Sequence, residues 1–191
     1  MAGRSWAAFW GVFGVLAVLG AAVVRLLPIG LEPLQESQPL HVLAAYGLSL
    51  AFFGYTEGFK AFHRGFCPRV AARAHHLRFE RSWTRRVLAP LFCMGFFGAR
   101  RRRLVVSWGL ALGLVGLIAL VKVLPQPTRG VIDLGVVVAL AAGMLSLVFH
   151  FVRGFQGQLL AKPELPEDES SGNPTDAPSQ IALPARDETA A

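Results

Sequence analysis

Charge is scarce in this chain. Asp, Glu, Lys and Arg make up 16% of its 191 residues, against roughly 25% in soluble globular domains. A deficit of that size, with 53% hydrophobic residues, excludes an ordinary soluble domain and points to an all-α integral membrane protein. Cysteine is nearly missing too. Cys67 and Cys93 are the only two, and both fall in a loop assigned below to the cytoplasm, where thiols stay reduced.

Gly-x-Ser-x-Gly and Walker-type phosphate loops are lacking, so no nucleophile or nucleotide site is read. His63, His75, His76 and His150, with the two cysteines, are the residue types that hold zinc or haem. They occur without Cys-x-x-Cys or His-Glu-x-x-His spacing, and His75 and His76 diverge by roughly 100° on a helix. No metal and no cofactor is expected. Lysine is rare beside arginine, and Ala and Gly are abundant, a composition that hints at a GC-rich bacterial source and hence an inner membrane.

Long apolar runs are what the chain does have. A helix needs roughly 20 apolar residues to cross a hydrocarbon core, and four segments qualify: 6–27, 41–57, 104–124 and 131–152. The first run of about 19 residues exceeds the roughly 7 to 15 of a signal-peptide core and lacks a clean small-x-small site, so it reads as a retained span.

Orientation follows from the loops, because short cytoplasmic loops gather Lys and Arg. The loop 58–103 carries Lys60, Arg64, Arg69, Arg73, Arg78, Arg81, Arg85, Arg86 and the run Arg100–Arg103, whereas 28–40 carries Glu32 and Glu36 and no cation. Both termini are therefore expected on the cytoplasmic side.

Four regions result: a first transmembrane hairpin 1–57, a basic region 58–103, a second hairpin 104–157 and a tail 158–191. The tail, with its stretch "PELPEDESSGNPTDAPSQ", is acidic, poor in apolar residues and expected to be disordered. The hairpins rhyme: "WGVFGVLAVLGAAVVRLLP" from Trp10 resembles "WGLALGLVGLIALVKVLP" from Trp108, and "SLAFFGYTEGF" from Ser49 resembles "SLVFHFVRGF" from Ser146. This pattern suggests a duplication in parallel orientation. Arg25 and Lys122 each sit three residues before a Pro, where a long stem lets the charge snorkel. Asp133, near the start of the last span, is expected to cap it.

Within the basic region, Pro68 suits a first helical turn. Val70, Ala71, Ala74, Leu77, Trp83, Val87 and Leu88 recur at near-helical spacing with the arginines mostly elsewhere on the wheel, which predicts an amphipathic interfacial helix ending near Pro90. Its cations Arg69, Arg73, Arg78, Arg81, Arg85 and Arg86 are the expected contacts to anionic head groups or to a membrane protein partner, a homodimer included. The following run "LFCMGFFGA" is too short to span and reads as interfacial or re-entrant. Specific nucleic-acid binding is not expected, since topology already accounts for the charge.

Glu57, His150 and Arg153 are the intramembrane polar candidates, because ionisable groups near the ends of spans are expensive to keep there. Pairing of Glu57 with Lys60, Arg64 or Arg153 is the simplest structural role for the carboxylate. The leading functional expectation is a non-enzymatic scaffold, assembly or envelope-maintenance protein with a lipid- or partner-binding basic platform. Two other classes stay open: a small transporter or channel built from two hairpins, and a membrane enzyme acting on a lipid or redox carrier.

Overall fold

Prolines and glycines punctuate the chain into helices. In the computed structural model, which describes residues 2–79, 82–99 and 101–157, all the regular elements among those residues are helical. The first helix, α1 (Ala2–Leu31), runs into a single 3-10 turn, Glu32–Gln35. Pro39 then stands in extended conformation as the N-cap of α2 (Leu40–Phe53). From Phe53 the chain continues without a break through a π-wound segment, Gly54–Phe66, into α3 (Cys67–His76), since every residue at the joins stays in the right-handed helical region. After a turn come two short helices, α4 (Trp83–Val87) and α5 (Ala89–Met94). Gly95 closes α5 at φ 85°, a left-handed conformation for which glycine is the favoured residue. The long helices α6 (Arg101–Val121) and α7 (Thr128–Phe155) follow.

Among the described residues, two helices rather than four are long and apolar enough to cross a membrane: Trp6–Gln35 and Thr128–Phe155. The expected span 41–57 is not among them: α2 supplies 14 α-helical residues and then passes into the π-wound segment, which carries Glu57 and Lys60. The expected span 104–124 falls on α6, several of whose side chains lie outside the described set. The tail 158–191 lies wholly outside it.

The central element is α7. It runs antiparallel to α1: Phe9 meets Phe151 and Phe155, and Gly20 faces Met144. It runs parallel to the rod formed by α2, the π-wound segment and α3. Tyr46 reaches Gly130, Ser49 and Phe53 reach Gly135, Phe62 reaches Gly143 and His75 reaches Phe151. Glycines make these approaches possible. A Cβ at residue 135 would stand 2.5 Å from Ser49 Oγ, and one at residue 143 would stand 2.8 Å from the Phe62 ring.

α7 packs with α1 and α2, while α6, its expected partner, takes no part in the main helix–helix contacts among the described residues.

The basic region also differs from expectation. α3 is a core helix: Cys67, Val70, Ala71, Ala72, Ala74 and Leu77 are all buried. Of these, Cys67, Val70, Ala74 and Leu77 share a cluster with Ala7, Ala8, Val12 and Val15 of α1, Ala89, Phe92 and Cys93 of α5, and Leu147 and Phe151 of α7. No single amphipathic helix reaches Pro90, because the chain turns after His76. α5 is likewise sunk against α1. A Cβ at Gly11 would stand 2.7 Å from Cys93 Sγ, and one at Gly14 would overlap the Pro90 ring. Small faces on α1 and α3 let this supposed surface region pack inward, a preference that a helical wheel of the segment alone does not contain.

Candidate functional site

Two ends of the bundle can be distinguished. The loop end holds residues 29–40 and 122–130. The basic end gathers the start of α1, the π-wound segment, α3 to α5 and the close of α7.

At the basic end the wide winding sets the geometry. Hydrogen bonds run i→i+5 in place of i→i+4, so residues four and five apart share a face. Tyr55, Phe59 and His63 stack in a column, with ring centroids 6.2 and 5.5 Å apart. Lys60 Nζ lies 5.0 Å from the Tyr55 ring centroid and the Arg64 guanidinium 4.8 Å from that of Phe59. From α7, Phe149 comes within 6.2 Å of the His63 ring and carries the Arg153 guanidinium at 5.2 Å. Tyr55, Phe59, Lys60, Arg64 and Phe149 are exposed, so this is a surface of cations seated on aromatic faces. Each such pair contributes roughly 0.5–1 kcal/mol at an exposed site.

Beneath the surface lies a polar seam. His63 Nδ1 is 2.8 Å from Ser146 Oγ, and the His63 and His150 rings are 4.9 Å apart. His150 Nε2 donates to the His63 carbonyl at 3.1 Å; a carbonyl only accepts, so the proton sits on Nε2. The Cys67 thiol donates to the Gly143 carbonyl at 3.4 Å, and His75 Nε2 donates to the Phe151 carbonyl at 3.2 Å. Burial pushes the Cys67 thiol up to about 11 and the Cys93 thiol up to about 12, the latter despite the pull of Arg73. Neither is a thiolate near neutral pH, so neither is an activated nucleophile. Burial lowers the His75 pKa; the bond to the Phe151 carbonyl opposes that shift and Arg78 adds to it. His75 is thus neutral at pH 7.

The sequence candidates scatter over several roles. Arg73 is 3% exposed. Its Nε donates to the Phe92 carbonyl at 2.7 Å, and one Nη donates to the Phe97 and Gly98 carbonyls at 2.8 and 2.9 Å. Its guanidinium lies 4.2 Å from the Phe92 ring centroid. Arg73 is therefore an internal clamp holding the chain after α5, which corrects its assignment to the head-group face. Arg69 is half-buried and lines a shallow recess with Arg73, Cys93 and Gly95. Arg78 is half-buried over the Phe155 ring at 4.9 Å. Arg85 and Arg86 are half-buried on α4, and Arg81 lies outside the described residues.

His150 is buried and belongs to the seam, and Arg153 belongs to the surface above it. Glu57 is exposed, and no described cation pairs with it; the cations expected to do so sit on rings. Sequence reasoning passed over the column itself. Its signal was the spacing of Tyr55, Phe59 and His63 by four, with a cation five residues after each of the first two.

The loop end is tied mostly by hydrogen bonds to backbone carbonyls. Tyr46 donates to the Gly30 carbonyl at 3.0 Å and Ser49 to the Val131 carbonyl at 2.7 Å. Gln126 Nε2 donates to Glu32 Oε2 at 3.1 Å, while Gln126 Oε1 accepts from the Gly130 N–H. Pro127, not Asp133, is the N-cap of α7. Asp133 lies further along the helix, buried and paired with Arg129 at 3.4 Å.

Among the described residues, no three His, Cys, Asp or Glu side chains gather as a metal-binding group. Comparison with protein-family models, with curated proteins and with solved structures found no match. The chemistry of the site rests on its geometry.

Proposed function

We propose that the protein is a multi-pass inner-membrane protein of scaffold or assembly type, docked through its basic end on anionic lipid of the cytoplasmic leaflet. The observation that carries the reading is the set of cations on aromatic faces: Lys60 over Tyr55, Arg64 over Phe59 and Arg153 over Phe149. Aromatic rings prefer the level of the head groups, and cations there gain about 1 kcal/mol each from an anionic leaflet. The column runs beside α7 from its middle, where Gly58 faces Ala139 and Ala142, to its later turns, where His63 meets Ser146 and His150.

In this reading α1 and α7, the two helices of spanning length, cross the bilayer in opposite directions, and both termini face the cytoplasm. Arg69, Arg78, Arg85 and Arg86, all half-buried, form an outer rim of the basic face. Arg73 does not take part, because its charge is turned inward.

The test is retention of lipid by the full chain, released from vesicles of phosphatidylcholine mixed with phosphatidylglycerol and weighed intact by mass spectrometry. Preferential retention of phosphatidylglycerol, lost when Lys60, Arg64 and Arg153 are all changed to Gln, supports the reading. Equal retention of the two lipids by the native chain overturns it. An introduced cysteine at Glu36 tests the orientation: it should react with an impermeant reagent from the side opposite to one introduced at Arg64.

A further inference from the structure

We infer that the turn formed by α4 and α5 is an interfacial anchor, its apolar outer side seated among acyl chains of the cytoplasmic leaflet. The inference rests on the reading above, in which α1 and α7 cross the bilayer, and deepens it by naming a second surface that holds the basic end to the membrane. Three observations support it.

The first is level. α1 and α7 keep one register along their length: Gly30 faces Leu134, Gly20 faces Met144 and Phe9 meets Phe155. Gly14 of α1 therefore stands close to the level of His150. A hydrocarbon core about 30 Å thick takes about 20 residues of helix; counted from Thr128, the first residue of α7, it ends close to Val148. A Cβ at Gly14 would overlap the Pro90 ring, and Trp10 Nε1 donates to the Val87 carbonyl at 3.1 Å. The start of α5 is thus held against α1 at the hydrocarbon boundary, level with the place where His63 meets His150.

The second is the chemistry of the turn. Ala89, Phe92 and Cys93 are buried against α1 and α3, whereas Val87, Leu88 and Leu91 are exposed. Trp10 and Phe13, with ring centroids 6.2 Å apart and both exposed, continue the apolar surface onto α1. No charged residue occurs from Val87 to Ala99, and arginines bracket that segment at Arg85, Arg86 and Arg100–Arg103. Trp83 is exposed at its entry. Aromatic and cationic side chains suit the head groups, and aliphatic ones the acyl chains just below. A spanning α1 brings lipid of that leaflet to the level of the turn, so acyl chains are the cover nearest to it.

The third is the backbone. Irregular chain beside hydrocarbon is tolerated only where its polar groups are bonded within the protein. Arg73 donates to the carbonyls of Phe92, Phe97 and Gly98, and the N–H groups of Gly95 and Phe96 donate to the carbonyls of Phe92 and Leu91. The inward arginine supplies the bonds that water would otherwise make.

The experiment places a nitroxide label on single cysteines introduced at Leu88, Leu91 and Thr84 of the full chain. Cys67 and Cys93 are kept, since both are buried, and the native chain should take no label. In vesicles of phosphatidylcholine, with and without phosphatidylglycerol, power saturation compares access of oxygen, which concentrates in hydrocarbon, with that of a nickel chelate confined to water. Labels at Leu88 and Leu91 should favour oxygen, and the label at exposed Thr84, beside the arginines, should favour the chelate. The melting temperature of each variant shows whether the fold is kept, and a label at Val87 replaces any at Leu88 that unfolds the chain. Preference for the chelate at Leu88 and Leu91 overturns the inference, because water then covers the turn. Exclusion of both reagents there also overturns it, because protein, a second copy included, is then the cover. Preference for oxygen in both kinds of vesicle supports the anchor even where phosphatidylglycerol is retained no better than phosphatidylcholine, a result that overturns docking on anionic lipid alone.

Discussion

Arg64 and Arg73 lie on one continuous helical rod and in one basic stretch of sequence, yet they meet opposite fates. Arg64 is exposed, its guanidinium resting on Phe59. Arg73 is buried, spending three N–H groups on the carbonyls of Phe92, Phe97 and Gly98. The difference lies in what faces each one. The π-wound segment turns its cations away from α7, while α3 is wedged among α1, α5 and α7, so a residue on its far side still meets protein. Net charge in a segment therefore does not say which of its cations a lipid can reach.

The largest effect that could break this contrast is removal of the inner arginine. Arg73→Met should destabilise the protein by about 3 kcal/mol or more, because three buried or half-buried carbonyls lose their donor at once. Thermal unfolding in detergent measures it, and proteolysis within residues 95–99 should rise in parallel. A loss below about 1 kcal/mol would mean that the clamp is dispensable.

A second contrast sharpens the account of packing. Gly143→Leu forces a side chain into the Phe62 ring and should cost about 1–3 kcal/mol. Gly109→Ala in α6, where a Cβ meets nothing within 4 Å, should be neutral or stabilising by up to about 1 kcal/mol through helix propensity. Comparable losses at both sites would show that α6 is packed as closely as α7.

The next effect is a pH dependence confined to the inner side of the contrast. Burial lowers the folded pKa of His75 below 6.5, so between those two values the unfolded chain binds the proton and the folded chain does not. The stability carried by the neutral ring is fully present above about pH 6.5 and is lost as the pH falls toward the lowered value. Melting temperature measured across that window should fall for the native chain and fall less for His75→Gln. A slope that His75→Gln leaves unchanged would assign the titration elsewhere.

Cys67 and Cys93 should stay unmodified by iodoacetamide at pH 8 while the protein is folded and react fully after unfolding, given their pKa values near 11 and 12. Rapid modification in the folded state would show that α3 and α5 open readily. The smallest expected effect is Arg64→Gln, within about 1 kcal/mol of the native stability, the size of an exposed cation–aromatic pair. A larger loss would remove the distinction between the two arginines.

Much of the frame was readable from residue order. Apolar runs marked α1 and α7, Pro68 opened a helical turn, and the contrast between the basic loop and the Glu-bearing loop gave each end its character. His150 and Arg153 stood out in the sequence as polar groups near the close of the last helix, but the side chains around them did not. The seam needs His63 to meet Ser146 across two helices, and that meeting depends on Gly143 admitting Phe62 and on the π winding that brings His63 round to α7.

Sequence alone determined the helical elements, their punctuation by proline and glycine, and the separation of charge between the two ends, since backbone propensity, hydrophobic periodicity and charge are local properties that add along a chain. Tertiary structure alone decided that α7 is central, that α3 is core rather than surface, and that Arg73 points inward. A buried guanidinium is tolerable only where carbonyls converge on it, and those carbonyls come from a segment after α5 that no local reading of α3 can supply.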